Sequence, residues 1–289
     1  MSELQFGLNV STATTEGADP VGVAKRAEDL GFDFVSASDH LHGHGPTYEP
    51  WTLLSWIAAA TSRIRVATRV LAVPYRHPAV VAKMAETLDR LSGGRLILGL
   101  GGGWSDEEFA AFGLGVRTPG QKVGGLEEAI RVVRGLWSGG PFTFRGAIYE
   151  TKEAEVAPEP EHTIPVWLGT YGNRALDLTG RLADGWIPTL ELAPPDRVRV
   201  MRDRVLAAAR DAGRDPDAIT CVYNLDVRVE ERAEPTPSVV AGPPGAVAER
   251  LRGFLGIGFT AMNFLPAGPD PAEQAERLGR EILPALRAA

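Results

Sequence analysis

The chain has 289 residues, a formal net charge of −7 and 23% charged side chains. That length allows one large domain or two average ones, and the mild acidity argues against nucleic acid or an anionic membrane surface as a main partner. A single cysteine, Cys221, excludes an internal disulfide or a cysteine metal cluster and reads as a small buried residue on a strand.

The opening LQFGLNV has no basic segment and apolar core before it, so no signal peptide is expected. No apolar run is long enough to span a membrane, and a cytoplasmic protein is the default expectation. Strand-like and helix-like segments then alternate. Leu4–Val10 reads as a strand, Asp19–Leu30 as a helix stopped by Gly31, and Phe32–Ser36 as a strand. Pro50 opens a helix to about Ala60, Arg63–Val73 is a β-branched strand, and Pro78–Leu91 is an amphipathic helix. Arg95–Leu100 is the fourth strand. A helical stretch follows from Ser105, breaks near Gly113–Gly120 and resumes to about Trp137.

The rhythm stumbles over Ser138–Ile164, which reads as a surface insertion with an aromatic strand pair at Phe142–Tyr149 turning at Arg145-Gly146. It resumes with a strand at Val166–Gly169, a helix at Asn173–Leu182, a short strand at Gly185–Pro188 and a long helix over Pro194–Ala212. Ile219–Val229 is a strand, Glu230–Val240 a polar loop, Val247–Leu255 a helix, Thr260–Leu265 a strand and Pro271–Leu286 a final helix. Eight strand–helix units of roughly 36 residues suit a (β/α)8 TIM barrel, a single domain over 1–289 with its insertion at 138–164 after the fourth βα unit. A doubly wound sheet is the alternative, but Asn9-Val10-Ser11-Thr12 lacks the nucleotide turn such a sheet has after its first strand.

In a barrel, chemistry collects where the strands end. Those positions hold Ser38, Asp39, His40, His42 and His44 after the second strand, and Tyr75, Arg76 and His77 after the third. Thr170, Tyr171, Gly172 and Asn173 follow the fifth, Pro188 and Glu191 the sixth, and Asn263 lies on the eighth. The fourth ends in SGGRLILGLGGGW, Ser92 to Trp104, an apolar run opening into a nearly bare backbone whose N–H groups could approach an anion. The stretch is neither a P-loop, which needs Gly-Lys-Ser/Thr, nor a dinucleotide fingerprint, because Trp104 falls where the last glycine belongs. It is equally read as a tight strand-to-helix turn.

Other chemistries fare worse. The Asp39–His44 run offers alternating histidines, but His77 and His162 are the only others, so no catalytic metal is expected. Lys25, Lys83 and Lys122 fall on predicted helices and Lys152 in the insertion, which disfavours a Schiff base. No G-x-S-x-G elbow is present. His40 is well placed as a general acid or donor, against the plainer reading of a histidine tied to Asp39. Arg76-His77-Pro78 reads as an anion site or as a helix entrance. Trp51, Trp56, Trp137, Trp167 and Trp186 read mostly as packing, whereas Trp104 could wall a cofactor pocket.

Taken in order, AEDLGFDFVSASDH (27–40), the run from EPWTLL to LGGGW (49–104), IPVWLGTYG (164–172) and LADGWIP (182–188) resemble the luciferase-like monooxygenase superfamily, in its coenzyme F420-dependent oxidoreductase branch. The resemblance implies a deazaflavin over the third strand, with a bulge and a non-prolyl cis peptide at Arg69–Val70, next to Thr68. It implies that Asp39 and His40 face the ring, where Trp104 is the candidate pocket wall already noted, and that Gly101, Gly102, Gly103, Gly169, Thr170, Tyr171 and Gly172 hold the cofactor phosphate. It implies hydride transfer between the deazaflavin C5 and a C=C, C=N or C=O bond of a small organic substrate, with His40 moving the proton and Tyr171 as a second candidate. An FMN-dependent monooxygenase and a non-catalytic flavin-binding member are the alternatives. Related sugar-phosphate dehydrogenases carry a glutamate acid where Trp104 stands, so the sequence does not support that role. A homodimer is the family expectation.

Overall fold

Proline and short polar side chains set where the helices begin. Asp19 caps α1 (Pro20–Asp29), Glu49 caps α2 (Pro50–Ala60), His77 caps α3 (Pro78–Ser92) and Ser105 caps α4 (Asp106–Ala111). Thr118 and Gln121 form a capping box at α5 (Pro119–Leu136). The later helices are α6 (Asn173–Leu182), α7 (Pro195–Asp211), α8 (Pro244–Leu255), α9 (Pro271–Arg277) and α10 (Leu283–Arg287). Their apolar faces cover the strands β1 (Gln5–Asn9), β2 (Phe34–Ala37), β3 (Arg65–Thr68), β4 (Leu71–Ala72) and β5 (Leu96–Gly101). They also cover β8 (Val166–Leu168), β9 (Gly185–Trp186), β10 (Thr220–Val229) and β12 (Ala261–Pro266). Outside the barrel lie the hairpin β6 (Phe142–Arg145) and β7 (Glu150–Ala154), and the strand β11 (Val239–Gly242). These coordinates are a computed structural model, which describes residues 4–42 and 45–288.

All barrel strands are parallel, and the ladder β1–β2–β3–β5–β8–β9–β10–β12 returns to β1 through Gln5↔Ala261. The sheet is therefore the closed eight-stranded TIM barrel the rhythm predicts. The third barrel strand is broken: β3 ends at Thr68, the Arg69–Val70 peptide is cis, and β4 resumes beside β5 through Leu71↔Leu100.

The interior is layered, because alternate residues of each strand point inward. Phe34, Ala67, Ile97, Trp167, Ile187, Val222 and Ala261 fill the lower layer. Above them run hydrogen-bonded polar groups: Ser36 Oγ donates to Asn263 Oδ1 at 3.0 Å, and Asn263 Nδ2 donates to Asn224 Oδ1 at 2.8 Å. Close packing explains some of the glycines. A Cβ at Gly7 would lie 2.1 Å from the Phe34 ring, and one at Gly99 would lie 1.9 Å from the Thr68 carbonyl.

Four expectations change. The hairpin strands are Phe142–Arg145 and Glu150–Ala154, with Arg145 paired to Glu150, so the turn is the four residues Gly146–Tyr149. The Glu128 carboxylate fixes that turn by accepting from the N–H groups of Ala147, Ile148 and Tyr149. The end of the supposed loop, Val239–Gly242, pairs with the overhanging end of β10. The last helix contains a π-turn, Leu278–Ile282, just before Pro284, whose missing N–H and ring disrupt the regular ladder. Trp56 is 69% exposed on the outer face of α2, unlike the buried Trp51, Trp167 and Trp186. Cys221 is buried as expected, and burial pushes its thiol up to about 11. His44 lies outside the described residues.

Glu28 on α1 braces the entry to β3. Its carboxylate accepts from the N–H groups of Ser62, Arg63 and Ile64 at 3.0, 2.6 and 2.8 Å. Burial opposes its charge, but these bonds prevail and hold its acid down to about 2, against an ordinary 4.5. A depressed acid stabilises the fold above its unfolded value and loses that contribution as pH falls toward the folded one. Glu28→Gln is therefore expected to cost about 1–3 kcal/mol at neutral pH. It should also flatten the stability loss between about pH 4.5 and 2, measured by urea unfolding across that range. An unchanged pH profile in the variant would remove this role.

Candidate active site

The mouth is formed where the strands end, and its residues divide into those held by the scaffold and those left open. Asp39, just past β2, belongs to the first kind: its side chain is fully buried. It accepts from Ala72 N at 2.9 Å and from the Arg76 guanidinium at 2.8 and 3.1 Å. Arg76 also pairs with Glu49, whose other oxygen caps α2 by accepting from Thr52 N at 2.7 Å. Burial pushes the Asp39 carboxyl up while Arg76 pulls it back. Asp39 thus ties the chain beyond the Arg69–Val70 break to α2, and its carboxylate points into the scaffold. Arg76 serves this clamp, and His77 is the exposed cap of α3.

His40 is half-buried and does not bond Asp39. Its Nδ1 lies 2.9 Å from Glu108 Oε1. The other Glu108 oxygen accepts from Leu41 N at 3.2 Å and from the Tyr75 hydroxyl. Glu108 sits in the first turn of α4 and is 5% exposed. Burial raises its acid, but the bonds from Tyr75, His40 and Leu41 outweigh it and keep the carboxyl below its usual range. Burial, reinforced by that carboxylate, pushes the Tyr75 phenol up. An ionised carboxylate can only accept, so Nδ1 carries a proton and Nε2 is the nitrogen left for chemistry. Sequence reasoning placed Tyr75 at the mouth and missed Glu108.

The Trp104 ring stands 6.3 Å from the His40 ring, edge-on, and is 80% exposed. His42 is exposed too. Tyr171 is half-buried; its hydroxyl accepts from Thr189 N at 3.1 Å. Thr170 faces the scaffold: its Oγ1 lies 2.7 Å from Thr179 Oγ1, and its carbonyl accepts from Trp186 Nε1. Thr68 is likewise internal, donating to the Gly99 carbonyl and accepting from Gly99 N, both at 2.8 Å.

The two glycine stretches open side by side on adjacent strands. A Cβ at Gly101 would lie 3.8 Å from the Gly169 carbonyl, and Val70 fills the space before both glycines. Gly103 has φ +81°, and a Cβ there would strike Phe109 at 2.3 Å. Gly102 packs against the Lys122 backbone, whereas a Cβ at Gly172 would meet nothing within 4 Å among the described residues. Gly172 precedes α6, whose start has no side-chain cap. Free N–H groups at an uncapped helix start beside bare backbone suit a phosphate. The predicted cofactor residues thus meet at one mouth, although Asp39, Thr68 and Thr170 address it through the scaffold.

Known proteins agree with this architecture. The luciferase-like monooxygenase family profile matches residues 4–236. An F420-dependent glucose-6-phosphate dehydrogenase of Nakamurella multipartita is 31% identical, over 99% of this chain and 97% of its own. An F420-dependent secondary alcohol dehydrogenase, solved with an F420–acetone adduct, superposes with a TM-score of 0.89 at 20% identity over 98% of this chain and 99% of that one. The coenzyme F420-dependent tetrahydromethanopterin reductase of Methanopyrus kandleri superposes at 0.83 with 22% identity, over 99% of this chain and all of that one (100%). With the profile spanning most of the sequence and the relatives spanning both chains end to end, this protein is an enzyme of the luciferase-like monooxygenase family.

Proposed function

We propose that the protein is a coenzyme F420-dependent oxidoreductase that moves a hydride between the deazaflavin and a C=C, C=N or C=O bond of a small organic substrate. The observation that carries this reading is the glycine run Gly101–Gly103 opening beside Gly169 and Gly172, with open backbone at Gly172 and the uncapped start of α6. F420 dependence in the full-length relative supports it. The cofactor phosphate would lie against those N–H groups, and the ring would lie in the mouth near Val70, His40 and Trp104. When bound, the deazaflavin supplies or takes the hydride at C5. The chain's own part is to orient the reactants, exclude water and move a proton.

His40 performs that last task through Nε2, because Glu108 occupies Nδ1. Glu108 itself is a poor proton donor, since its partners favour its ionised form. Neither it nor Trp104 replaces the acid of sugar-phosphate dehydrogenases, so glucose 6-phosphate is not the expected substrate. Tyr171 stays a second proton-donor candidate. The homodimer expected of the family has a candidate surface on the outer faces of α2 and α3. There a groove of about 380 Å³ runs past Ser55, Ala59, Met84 and Thr87, with Val80 and Leu91 exposed in its lining and Trp56 exposed next to Ser55 on α2.

Titrating the purified apo-protein with F420 and with FMN tests the cofactor. Micromolar or tighter F420 binding with little FMN binding is expected, while FMN preference would favour the monooxygenase reading. In a screen of carbonyl, imine and alkene acceptors, His40→Ala should lower turnover about 100-fold or more with little change in F420 affinity. Equal losses in both would remove the proton role, and cofactor binding without turnover on any acceptor would favour a non-catalytic member.

Glu108→Gln should lower kcat about tenfold while sparing F420 affinity. It should also change the His40 ring tautomer, read by 15N NMR, from mainly Nδ1–H to a mixture. An unchanged tautomer would overturn the positioning role. Sedimentation of the wild type should give a dimer and Trp56→Glu a monomer; a monomeric wild type would refute the dimer.

A further inference from the structure

Two enclosed arginines leave their guanidinium forks unmatched among the described residues: Arg65, at the start of β3 and so at the end of the barrel away from the mouth, and Arg69, at the mouth itself. Arg95 spends its whole guanidinium on Ser92, Thr61, Ile64 and Ala58, and Arg76 spends its fork on Asp39 and Glu49. Arg69 is half-buried at the mouth and makes one side-chain hydrogen bond among the described residues, from Nε to Asn9 Oδ1 at 2.9 Å. That acceptor is neutral, and Ser36 Oγ, whose hydrogen goes to Asn263 at the shorter distance, lies 3.3 Å from it. Both terminal nitrogens of the fork are left without a protein acceptor among the described residues.

The surroundings explain why this matters. The polar layer beneath the head consists of Asn9, Ser36, Asn224 and Asn263, all uncharged. Asp226, the inward residue of β10 above Asn224, is close enough to attract Arg69 electrostatically, and Tyr171 lies on the same side. No ion pair within 4.0 Å joins Arg69 to Asp226 among the described residues. Glu191 adds a second negative charge felt by Asp226. Burial works against the charge on Arg69, and it also pushes the Asp226 carboxyl up. A guanidinium taken partly out of water, with both terminal nitrogens open, is matched best by a planar anion with two acceptor atoms.

We propose that Arg69 is the anion receptor of this active site, taking a carboxylate of the substrate in its two-nitrogen fork. This deepens the oxidoreductase reading by assigning an acid as the substrate class, and it rests on that reading only for the chemistry that follows binding. The same fork would also match the anionic N–C–O edge of a reduced deazaflavin, so the shared chemistry is a planar, delocalised anion with two acceptor atoms. Neutral isosteres of the substrate would leave the fork unmatched and bind weakly.

Binding to the apo-protein separates this inference from the cofactor assignment. Acetate, benzoate and the neutral isostere benzamide are titrated by calorimetry into wild type, Arg69→Gln and Arg69→Lys, with circular dichroism as the check on folding. Benzoate or acetate should bind wild type and weaken about tenfold in Arg69→Gln, while benzamide should not discriminate between them. Arg69→Lys, which keeps the charge but loses the fork, should fall between and serves if Arg69→Gln does not fold. Asp226→Asn should bind the carboxylates more tightly, because it removes a competing negative charge. A second arm titrates oxidised and reduced F420 into the same variants. Carboxylate binding that depends on Arg69, with F420 affinity unchanged, assigns the receptor to the substrate. Loss confined to reduced F420 assigns it to the cofactor and overturns the acid-substrate claim. Equal binding of every probe by wild type and Arg69→Gln overturns the receptor altogether.

Discussion

Val70 occupies the space that side chains at Gly99, Gly101 and Gly169 would claim, with approaches of 3.0, 2.7 and 3.1 Å to the Cβ positions those residues lack. The break at Arg69–Val70 is accommodated by glycine on the neighbouring β5, at Gly99 and Gly101, and just past the end of β8, at Gly169. The rest of the mouth depends on that accommodation. With Val70 turned against the glycines, Arg69 is free to reach across the interior to Asn9, and β4 rejoins β5 one step further along. Asp39 fixes the rejoined chain by accepting from Ala72 N. These three glycines, among them Gly101 and Gly169 of the expected phosphate loops, therefore serve the packing of Val70 first. Backbone open to an anion lies further out, at Gly172 and the start of α6.

Two carboxylates organise the polar side of the site, and they do different work. Asp39 is fully buried and matched by the Arg76 fork, so its charge is spent on holding α2 and the strand break together. A pair of this kind is costly to break and adds modest net stability, which suits a role in geometry. Glu108 is nearly as buried, but its partners are a histidine, a phenol and one backbone N–H. It fixes which nitrogen of His40 is spent and which stays available. The adjacent residues Asp39 and His40 thus end in separate networks, one structural and one facing the mouth.

The barrel was legible because its signals are local and repeated. Proline in the first helical turn, small polar caps and the alternation of strand and helix recur along the chain and need no long-range information. The glycine run after the fourth strand was legible for the same reason, although sequence alone left it poised between a phosphate site and a tight turn. What stayed hidden depends on distant partners. The hairpin turn is set by Glu128 from α5. The strand Val239–Gly242 exists because β10 overruns the barrel and offers it an edge. Trp56 has the composition of a core residue, and only the orientation of α2 puts it outside. Ser105 and Glu108 have the spacing of a capping box, which reads as a helix start and disguises a side chain that turns away to His40.

Arg69 and Trp104 are where the chain departs most from what the resemblance implies, and both stand at the same mouth. A large aromatic stands where the resemblance implies an acid directly after the glycines, and a guanidinium stands at the strand break. Neither change disturbs the scaffold: Trp104 extends into solvent, and Arg69 rests on a neutral amide network that is itself satisfied. Both alter what the mouth can recognise. A tryptophan in place of an acid and the Arg69 cation both weigh the local balance of charge toward positive, and no ion pair within 4.0 Å joins Arg69 to Asp226 among the described residues. On the proposed reading, the His40–Glu108 pair would serve the proton transfer, while Arg69 and Trp104 would bear on which molecule enters the mouth. Substrate choice can then change while the barrel, the glycine ends and the proton carrier stay as they are.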